Sequence, residues 1–327
     1  MNILLVGAGA VGQIYGVHLQ RGGARVAFFV KPKYRDELAR DGMPLWPLQG
    51  RDKKKLNTFR DFDLVTTPDE IRAAGPFDQV WMCMSSTALK GPWLPPLLAA
   101  IGDATVVSLP PGVEDATYIA ARLPEGEARG AARVVRGLIT MISYHRPLTG
   151  EQPPTPAMAY YRPPGKNPFS GPADRVGPVV AALNAGGWPA KAVPDVSRAT
   201  AMGSAMMMPV IAGLEVAGWQ FRAFGRGEAI RLASAALRQT TQIAAPGFRR
   251  GFVRLFATRL NLRAVLFWAR VFLPLPLETY LAYHFTKVGD QTRAQLQAAI
   301  TRGRAAGQPV DAIEALLSRL PAMAKAD

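Results

Sequence analysis

The stretch MNILLVGAGAVGQIYGVHLQRGGARVAFFVK, residues 1–31, decides the fold. It begins with a five-residue apolar run, passes through a glycine-rich turn and an amphipathic helical pattern, and returns to an apolar run closed by Lys31. That order predicts a strand, a glycine turn, a helix and a second strand, the unit that holds a dinucleotide pyrophosphate at a helix N-terminus. A purely structural glycine-rich turn is the weaker alternative, because the flanking strand and helix both match the dinucleotide unit.

The glycines of this turn have separate tasks. Gly7 permits the tight turn, Gly9 allows the backbone to approach the pyrophosphate, and Gly12 allows the helix to pack closely on the strand. With Ala10 and Val11 in the first helical turn, they form the predicted phosphate-binding site.

The end of the second strand indicates which dinucleotide binds. An enzyme that prefers NAD usually carries an Asp or Glu there, which accepts hydrogen bonds from the ribose 2′-hydroxyl. This chain reads FFVKPKYRDEL, so Lys31, Lys33 and Arg35 stand where the 2′-phosphate of NADP would lie. Charge complementarity therefore favours NADP. A solvated basic loop without a ligand is the alternative.

Composition predicts a globular chain of about two domains. Its 327 residues are 49% hydrophobic and include one cysteine, Cys83, within the apolar run VWMCM. A single cysteine cannot form an intramolecular disulfide, so we expect a buried thiol in a reducing cytoplasm. Glycines interrupt the first apolar run after Val6, which argues against a secretory signal.

Most of the basic residues behind the formal net charge of +15 are arginines, and six of them crowd residues 249–270. Arg249, Arg250, Arg254, Arg259, Arg263 and Arg270 alternate there with apolar residues in an amphipathic pattern. We favour a helical layer of the second domain. A membrane-surface or partner contact, and a nucleic-acid surface, are the less favoured alternatives.

Two patterns divide the chain. Apolar strands alternate with helices through the first half, with strands predicted near 2–6, 25–30, 78–84, 104–109 and 133–142. This alternation predicts a doubly wound parallel sheet, and thus an α/β Rossmann domain over residues 1–170. A segment rich in proline and glycine follows, and AMAYY within it is a candidate edge strand. Long helical patterns without a convincing strand then predict an all-helical domain over residues 171–327.

The chain resembles the ketopantoate reductase family. The resemblance is residue-specific in GAGAVGQIYG from Gly7, at Lys31, and in RDELARDGMPLW from Arg35. It implies an N-terminal Rossmann domain, a helical C-terminal domain, and reduction of a small-molecule substrate by NADPH at a site between the two domains. A homodimer through the helical domain is also plausible from the family, whereas nucleic acid is not expected as a partner.

Several positions depart from the family pattern. Aligned on Pro209, Thr200 stands where the family has its catalytic lysine, and Ser204 stands where it has a substrate-binding asparagine. Gln291 replaces the substrate-gripping glutamate. These departures remove the family's proton donor and its substrate-orienting groups, so the sequence predicts a carbonyl or imine substrate other than ketopantoate.

Two further departures fall at predicted cofactor-contacting positions. Ser85 replaces a lysine at the end of the fourth strand, and Pro111 replaces the asparagine before Gly112. With so many departures, a nucleotide-binding protein without turnover, acting as a sensor or an assembly subunit, is the alternative function.

The run YHFTKVGDQT, which begins at Tyr283, contains polar residues that could replace the family's missing proton donor. On a continuous helix His284, Lys287 and Gln291 would share one face, with Asp290 three residues past Lys287. Either His284 or Lys287 could then protonate the reduced carbonyl. A hydrogen-bonded helix start with a solvated lysine is the structural alternative.

Tyr144 and His145 are the reserve candidates, since they follow an apolar strand and would emerge at a sheet edge. No His, Cys or carboxylate spacing predicts a metal site.

Overall fold

A computed structural model describes the chain at residues 1–110, 112, 114–152, 155–247, 251, 253, 255, 257–287 and 289–322. Pro111, Arg249, Arg250 and Arg254, which the sequence singles out, lie outside the described residues. The described chain divides into two compact units. The first contains Met1–Pro147 and Glu151–Ser197, and the second contains Leu148–Gly150 and the residues from Arg198 onward.

The first unit contains the strands and short helices of a doubly wound domain. Its strands are β1 (Asn2–Val6), β2 (Arg25–Phe29), β3 (Met43–Pro47), β4 (Asn57–Phe59), β5 (Asp63–Val65), β6 (Gln79–Met82), β7 (Thr105–Ser108), β8 (Val134–Gly137), β9 (Ile142–Arg146), β10 (Ala157–Tyr161), β11 (Asn167–Ser170) and β12 (Ala190–Ala192). Its helices are α1 (Ala10–Arg21), α2 (Arg35–Asp41), α3 (Pro68–Ala74), α4 (Ser86–Leu89), α5 (Leu94–Ala100), α6 (Asp115–Ala120), α7 (Glu127–Gly130) and α8 (Ala173–Ala185).

The main sheet has the strand order β12-β11-β8-β7-β6-β1-β2-β5. Strands β5, β2, β1, β6, β7 and β8 run parallel, whereas β11 is antiparallel to β8. From β1 the chain proceeds first to β2 and β5 on one side, and then crosses to β6 on the other. The sheet therefore has its topological switch point between β1 and β6, which confirms the predicted Rossmann fold.

Apolar side chains cover both faces of the main sheet, because the strands at its centre are apolar at nearly every position. On one face α1 and α8 pack in a cluster that includes Ile14, Phe28 and Trp81. On the other, α3, α5 and α6 pack in a cluster that includes Leu4, Val80 and Leu97. Continuous apolar strands of this kind are typical of parallel sheets covered by helices on both sides.

A second sheet, of order β4-β3-β10-β9, departs from the sequence predictions. β10, which contains the predicted edge strand AMAYY, pairs on one side with β3 and on the other with β9, so it is an inner strand. The predicted strand over 133–142 is wrong as one element, because it divides into β8 in the main sheet and β9 in the second sheet.

The first unit also extends further along the chain than the sequence predicts. The composition places the domain boundary after residue 170, whereas the compact units divide between Ser197 and Arg198. The expectation of no strand beyond residue 171 is wrong, because β12 pairs in parallel with β11. α8 packs on α1, so the chain up to β12 completes the Rossmann layer.

A buried polar cluster fixes this extension in place. The side-chain oxygen of Asn167 accepts hydrogen bonds from Tyr15 Oη at 2.9 Å, Thr140 Oγ1 at 2.8 Å and Trp188 Nε1 at 3.3 Å. Its amide nitrogen donates to the Leu138 carbonyl at 2.7 Å. The four contacts tie α1 to β11 and to the turn before β12, and they satisfy a polar side chain that is 1% exposed.

His18 on α1 contacts the same region. Its Nδ1 lies 2.9 Å from the Gly186 carbonyl oxygen, and its ring centroid lies 4.8 Å from that of Trp188. Burial lowers the pKa of His18 from 6.5 to about 4, since the charged imidazolium is poorly solvated there. His18 is therefore a packed, uncharged residue of the core boundary at neutral pH.

We expect the first unit to lose about 2–3 kcal/mol of stability between pH 7.5 and pH 4.5 through His18 alone. The pKa of 6.5 in the unfolded chain and about 4 in the folded chain means that only the unfolded state gains a proton in this window. The stabilisation is thus complete above pH 6.5 and is lost as the pH falls. Urea unfolding of the wild type and His18→Gln at both pH values measures it, and an equal pH slope in the two proteins would contradict the assignment.

The second unit is helical. Its elements are α9 (Val196–Val216), which begins at the end of the first unit, and α10 (Phe221–Arg226), α11 (Ala229–Ala244), α12 (Arg259–Phe272), α13 (Leu277–Lys287), α14 (Gly289–Ala305) and α15 (Asp311–Leu317). α11 is the central element, and it packs on α10, α12, α14 and α15. Their apolar faces form a core around Ala233, Ala236 and Leu237. This arrangement confirms the predicted helical second domain.

By length and composition α9 is apolar enough to cross a membrane, and 39% of its most apolar window is buried. The pair α12 and α13 passes the same test only if taken together, across a bend of 106°. A core helix satisfies this criterion too, so it is weak support for a membrane span.

Candidate functional site

The glycine turn lies at the switch point of the main sheet. The Gly7 amide donates to the Phe29 carbonyl at the end of β2, at 3.0 Å. The Cys83 amide after β6 donates to the Val6 carbonyl at the end of β1, also at 3.0 Å. The turn is thus held between the carboxyl ends of β2 and β6, where ligands of open parallel sheets bind.

The three glycines differ in the space around them. Gly7 has a φ of 101°, a left-handed conformation that favours glycine. A Cβ at Gly12 would lie 2.1 Å from the Gly7 carbonyl oxygen, so Gly12 lets α1 pack directly on the turn. A Cβ at Gly9 would meet nothing within 4 Å. Gly9 therefore leaves open space directly before the first turn of α1.

α1 begins without a side-chain cap, since Gly9 is its N-cap residue. Ala10 and Val11 are the first two residues of the helix, and no acidic residue lies in its first turn. Unpaired backbone N–H groups and the helix dipole favour an anion at such an end. The local geometry thus fits the pyrophosphate of a dinucleotide, with backbone donors and an unfilled approach at Gly9.

The basic residues after β2 differ in their surroundings. Lys31 is exposed, directly before the 3-10 turn Pro32–Tyr34, and the Lys33 ammonium lies 4.9 Å from the Tyr34 ring centroid. Neither lysine forms an ion pair within the part of the chain that the structure describes. Lys31 and Lys33 are therefore available to an external anion.

Arg35, by contrast, is occupied by the protein itself. Its guanidinium pairs with Glu70 at 2.8 Å and donates to the Leu64 carbonyl at 3.4 Å. Its hydrogen bond, together with the one from the Thr66 amide, holds the pKa of Glu70 below its usual range. Arg35 thus ties α2 to α3, which weakens its assignment as a 2′-phosphate ligand.

Ser85 lies where β6 ends, and it caps α4 by accepting a hydrogen bond from the Ala88 amide at 3.2 Å. The neighbouring Ser86, which the sequence reasoning missed, donates to Asp115 Oδ2 at 2.6 Å. The Gly112 amide donates to the same carboxylate oxygen at 2.7 Å and to Ser86 Oγ at 3.1 Å.

This cluster of Ser86, Gly112 and Asp115 joins the loop after β6 to the loop after β7. Asp115 is 5% exposed, so its carboxylate is a buried acceptor that holds the loop after β7 in place. The spacing of Gly112 and Asp115 was a usable sequence signal, because an acidic side chain three residues after a backbone amide can accept its hydrogen bond, as in a capping box. Ser86 carried no such signal.

The predicted substrate residues lie on helices of the second unit. Thr200 and Ser204 are four residues apart on α9, so they share one helix face, and both are half-buried. Gln291 is half-buried in the first turn of α14.

The predicted catalytic run lies on two described helical segments, and residue 288 between them is outside the described residues. The structure describes α13 up to Lys287 and α14 from Gly289, so the shared helix face of His284, Lys287 and Gln291 stays a prediction. Lys287 and Asp290 are exposed. His284 is half-buried, with its ring stacked on Tyr280 at 5.5 Å and its edge against Phe285 at 4.9 Å.

These surroundings determine the charge of His284. Burial, and then the positive charge of Lys287, lower its pKa below 6.5. The imidazole is therefore neutral at pH 7, and Lys287 is the cationic member of the pair. Of the two residues, only Lys287 has a cationic group that can donate a proton at neutral pH.

Tyr144 and His145 are not at the carboxyl edge of the parallel sheet, so that prediction is wrong. They lie within β9 of the second sheet, opposite Ala159 and Met158 of β10. Tyr144 is buried, and burial raises its pKa to about 12. Among the described residues, no group of three or more His, Cys, Asp and Glu side chains could hold a metal ion.

Comparison with protein-family models identifies a family for the first unit. Residues 3–151 match the family model described as ketopantoate reductase PanE/ApbA. The matched part contains the glycine turn, the loop after β2 and the cluster around Asp115. The match confirms the resemblance to the ketopantoate reductase family that the first 46 residues show. Comparison with curated proteins returns no match.

Solved structures share the fold over the whole chain. The 2-dehydropantoate 2-reductase of Geobacter metallireducens GS-15 is 18% identical, with a TM-score of 0.66 over 98% of this chain and 99% of that one. A PanE/ApbA family ketopantoate reductase from Ralstonia eutropha JMP134 is 19% identical, with a TM-score of 0.63 over 98% and 97%. D-mandelate dehydrogenase, solved with NADH and anilino(oxo)acetate, is 13% identical, with a TM-score of 0.65 over 98% and 97%.

Proposed function

Because residues 3–151 match the ketopantoate reductase family, we propose that this chain is a ketopantoate reductase-like oxidoreductase that uses a nicotinamide dinucleotide. The observation that carries the proposal is the open approach at Gly9, at the N-terminus of α1 and at the switch point of the sheet. The dinucleotide would supply the hydride. The chain would hold its pyrophosphate through the backbone of Gly7 to Gly12.

NADP is the proposed dinucleotide, with Lys31 as the principal 2′-phosphate ligand and Lys33 as its neighbour. Two observations support this choice: both lysines are exposed after β2, and residues 26–31 contain no carboxylate that could bind a ribose 2′-hydroxyl. Arg35 contributes through the position of the loop, because its guanidinium is held by Glu70.

We expect purified protein to bind NADPH at least about 10-fold more tightly than NADH, and Lys31→Asp to reverse that order. The substitution removes a cation from the 2′-phosphate and supplies a carboxylate to the 2′-hydroxyl. Fluorescence titration with each reduced dinucleotide gives both constants. Lys191→Asp, an equal charge change at an exposed position of β12, is the control. Equal affinities in the wild type, or an unchanged order in Lys31→Asp, would remove the NADP proposal.

The proposed reaction is reduction of a carbonyl or imine in a small molecule other than ketopantoate. By the alignment on Pro209, Thr200, Ser204 and Gln291 stand at the family's catalytic and substrate-binding positions, and they offer hydroxyl and amide groups in place of an ammonium, an amide and a carboxylate. We propose that these three bind substrate, and that Lys287 supplies the proton with His284 and Asp290 beside it. A screen of 2-keto acids, ketones and imines with NADPH oxidation as the readout tests the activity.

A non-catalytic nucleotide sensor is the second candidate function. Two observations favour it: Ser85 is occupied as the cap of α4, and Lys287 is exposed to solvent. Turnover of any compound in the screen would exclude the sensor. Tight NADPH binding without turnover would support it.

We also expect a cytoplasmic protein that acts on small molecules and assembles as a homodimer through its helical unit. Sedimentation velocity at several concentrations measures the oligomeric state.

A further inference from the structure

The outer face of α12 is unusually apolar for a surface helix. Leu262 is the only side chain of α12 that is fully buried. Leu260 and Phe272 are 74% and 72% exposed, and Phe267 and Trp268 are 59% and 53% exposed. Val265 and Val271 complete this outer face. Aliphatic and aromatic side chains are thus presented together along a helix about 21 Å long.

The aromatic rings on this face pack on one another rather than on the core. The Trp268 ring stacks on Phe272 at 5.4 Å, and Phe267 meets Trp268 edge to face at 5.2 Å. Contiguous exposed apolar surface of this kind marks an interaction site, because a soluble surface rarely retains it.

An arginine stripe borders this outer face. Arg259, Arg263 and Arg270 fall within about 40° of one another around the helix axis, at 100° per residue. α12 has no acidic residue, and all three arginines are exposed. Glu278 of α13 lies 3.9 Å from Arg270 and offsets part of that one charge. The stripe therefore adds positive charge beside the apolar face.

We infer that α12 docks this protein on the surface of an anionic lipid bilayer. An amphipathic helix with arginines on one face and Trp, Phe and Leu on another lies in the headgroup plane, with its apolar side at the acyl boundary. The arginines then contact lipid phosphates, and Trp268 lies at the headgroup level that indole rings prefer. The bilayer contact is peripheral, because α12 is too short to span the hydrocarbon core.

The combination of positive charge and apolar surface favours a bilayer over the other possible partners of this face. A symmetric contact with a second copy of α12 would pair the two apolar faces but leave the three arginines at the rim without an anionic partner, because α12 has no acidic residue. A nucleic acid would satisfy the arginines, but it would leave Leu260, Val265 and Val271 against a charged backbone. An anionic bilayer satisfies both the apolar face and the arginine stripe. It also accounts for a chain of formal charge +15.

The test is co-sedimentation of the full chain with vesicles of phosphatidylglycerol and phosphatidylcholine at 1:1, compared with pure phosphatidylcholine. We expect the wild type to bind only the anionic vesicles. Arg259→Gln with Arg263→Gln and Arg270→Gln should weaken binding by about 10²-fold. Phe267→Ser with Phe272→Ser should weaken it by at least about 10-fold. All five positions are exposed, so these variants should fold, and circular dichroism checks this.

A matched variant controls for net charge. Arg51→Gln with Lys53→Gln and Lys55→Gln removes three exposed charges from the first unit and should leave binding within about threefold of the wild type. Absence of binding to anionic vesicles would overturn the proposal, as would an equal loss in the matched variant. If the phenylalanine variant changed only the sedimentation coefficient of the free protein, the face would be a contact between two copies, which would also overturn the bilayer assignment.

Discussion

Gly12→Ala should destabilise the first unit by about 3 kcal/mol, whereas Gly9→Ala should fold like the wild type and lose affinity for the dinucleotide by about 10²-fold. The two changes add the same methyl group three residues apart. At Gly12 it would lie 2.1 Å from the Gly7 carbonyl oxygen, so α1 would have to move away from the turn. At Gly9 it would enter open space, which is the space that we assign to the pyrophosphate.

Thermal unfolding and NADPH titration of both variants separate the two effects. About 3 kcal/mol lowers the melting temperature of a unit of this size by about 6–12 °C. Gly9 has a φ of −74°, which alanine adopts without strain, so its melting temperature should be unchanged. If Gly9→Ala bound NADPH as tightly as the wild type, the pyrophosphate would not lie at α1, and the proposed oxidoreductase function would lose its main support.

The first unit was predictable from sequence wherever the signal is local. The glycine turn, α1 and the flanking strands follow from glycine placement and apolar runs within residues 1–31. β12 has three residues, of which only Ala190 is buried, and so carries no apolar run. β11 contains a proline and the polar Asn167, which is buried because Tyr15, 152 residues earlier, donates to it. Such pairing leaves no periodic pattern in either segment.

The candidate site shows the same division between local and distant causes. The positions of Gly7, Gly9 and Gly12 follow from a short motif, and the structure gives each the space that its task requires. The sequence also placed a cation at Arg35, but it could not show that Glu70, 35 residues later, pairs with it. The positive charge that a ligand meets depends on the ion pairs that the fold forms. A run of basic residues in the sequence therefore overestimates the positive charge of the site.

The polar run at the end of α13 shows why proton donors are hard to assign from spacing. Spacing suggests that His284 and Lys287 are equivalent donors. Burial against Tyr280 and Phe285 makes His284 the neutral one at pH 7, whereas Lys287 is exposed and charged. A neutral imidazole can orient a substrate by a hydrogen bond, but it is a weak acid toward a forming alkoxide. The environment therefore separates the two roles.

Lys287→Met should lower the rate of the chemical step by about 10²- to 10⁴-fold, the usual contribution of a positioned general acid, and His284→Ala should lower it by about 10-fold or less. NADPH affinity should remain within about twofold in both, because neither residue is proposed to contact the dinucleotide. Single-turnover oxidation of bound NADPH, with a substrate found in the screen, measures the step. The exposed Lys191 provides a matched control as Lys191→Met.

The pH profile identifies the donor independently of these rates. If Lys287 donates the proton, the step should show no dependence on the His284 titration, and the wild type and His284→Ala should have profiles of the same shape at and below pH 6.5. If His284 donates it instead, turnover in the wild type should rise as the pH falls toward the lowered pKa of His284, and the rise should vanish in His284→Ala. Full turnover in both Lys287→Met and His284→Ala would contradict the assignment of this run altogether. The proton would then have to come from a hydroxyl, and Thr200 and Ser204, which share a face of α9, would be the next residues to replace.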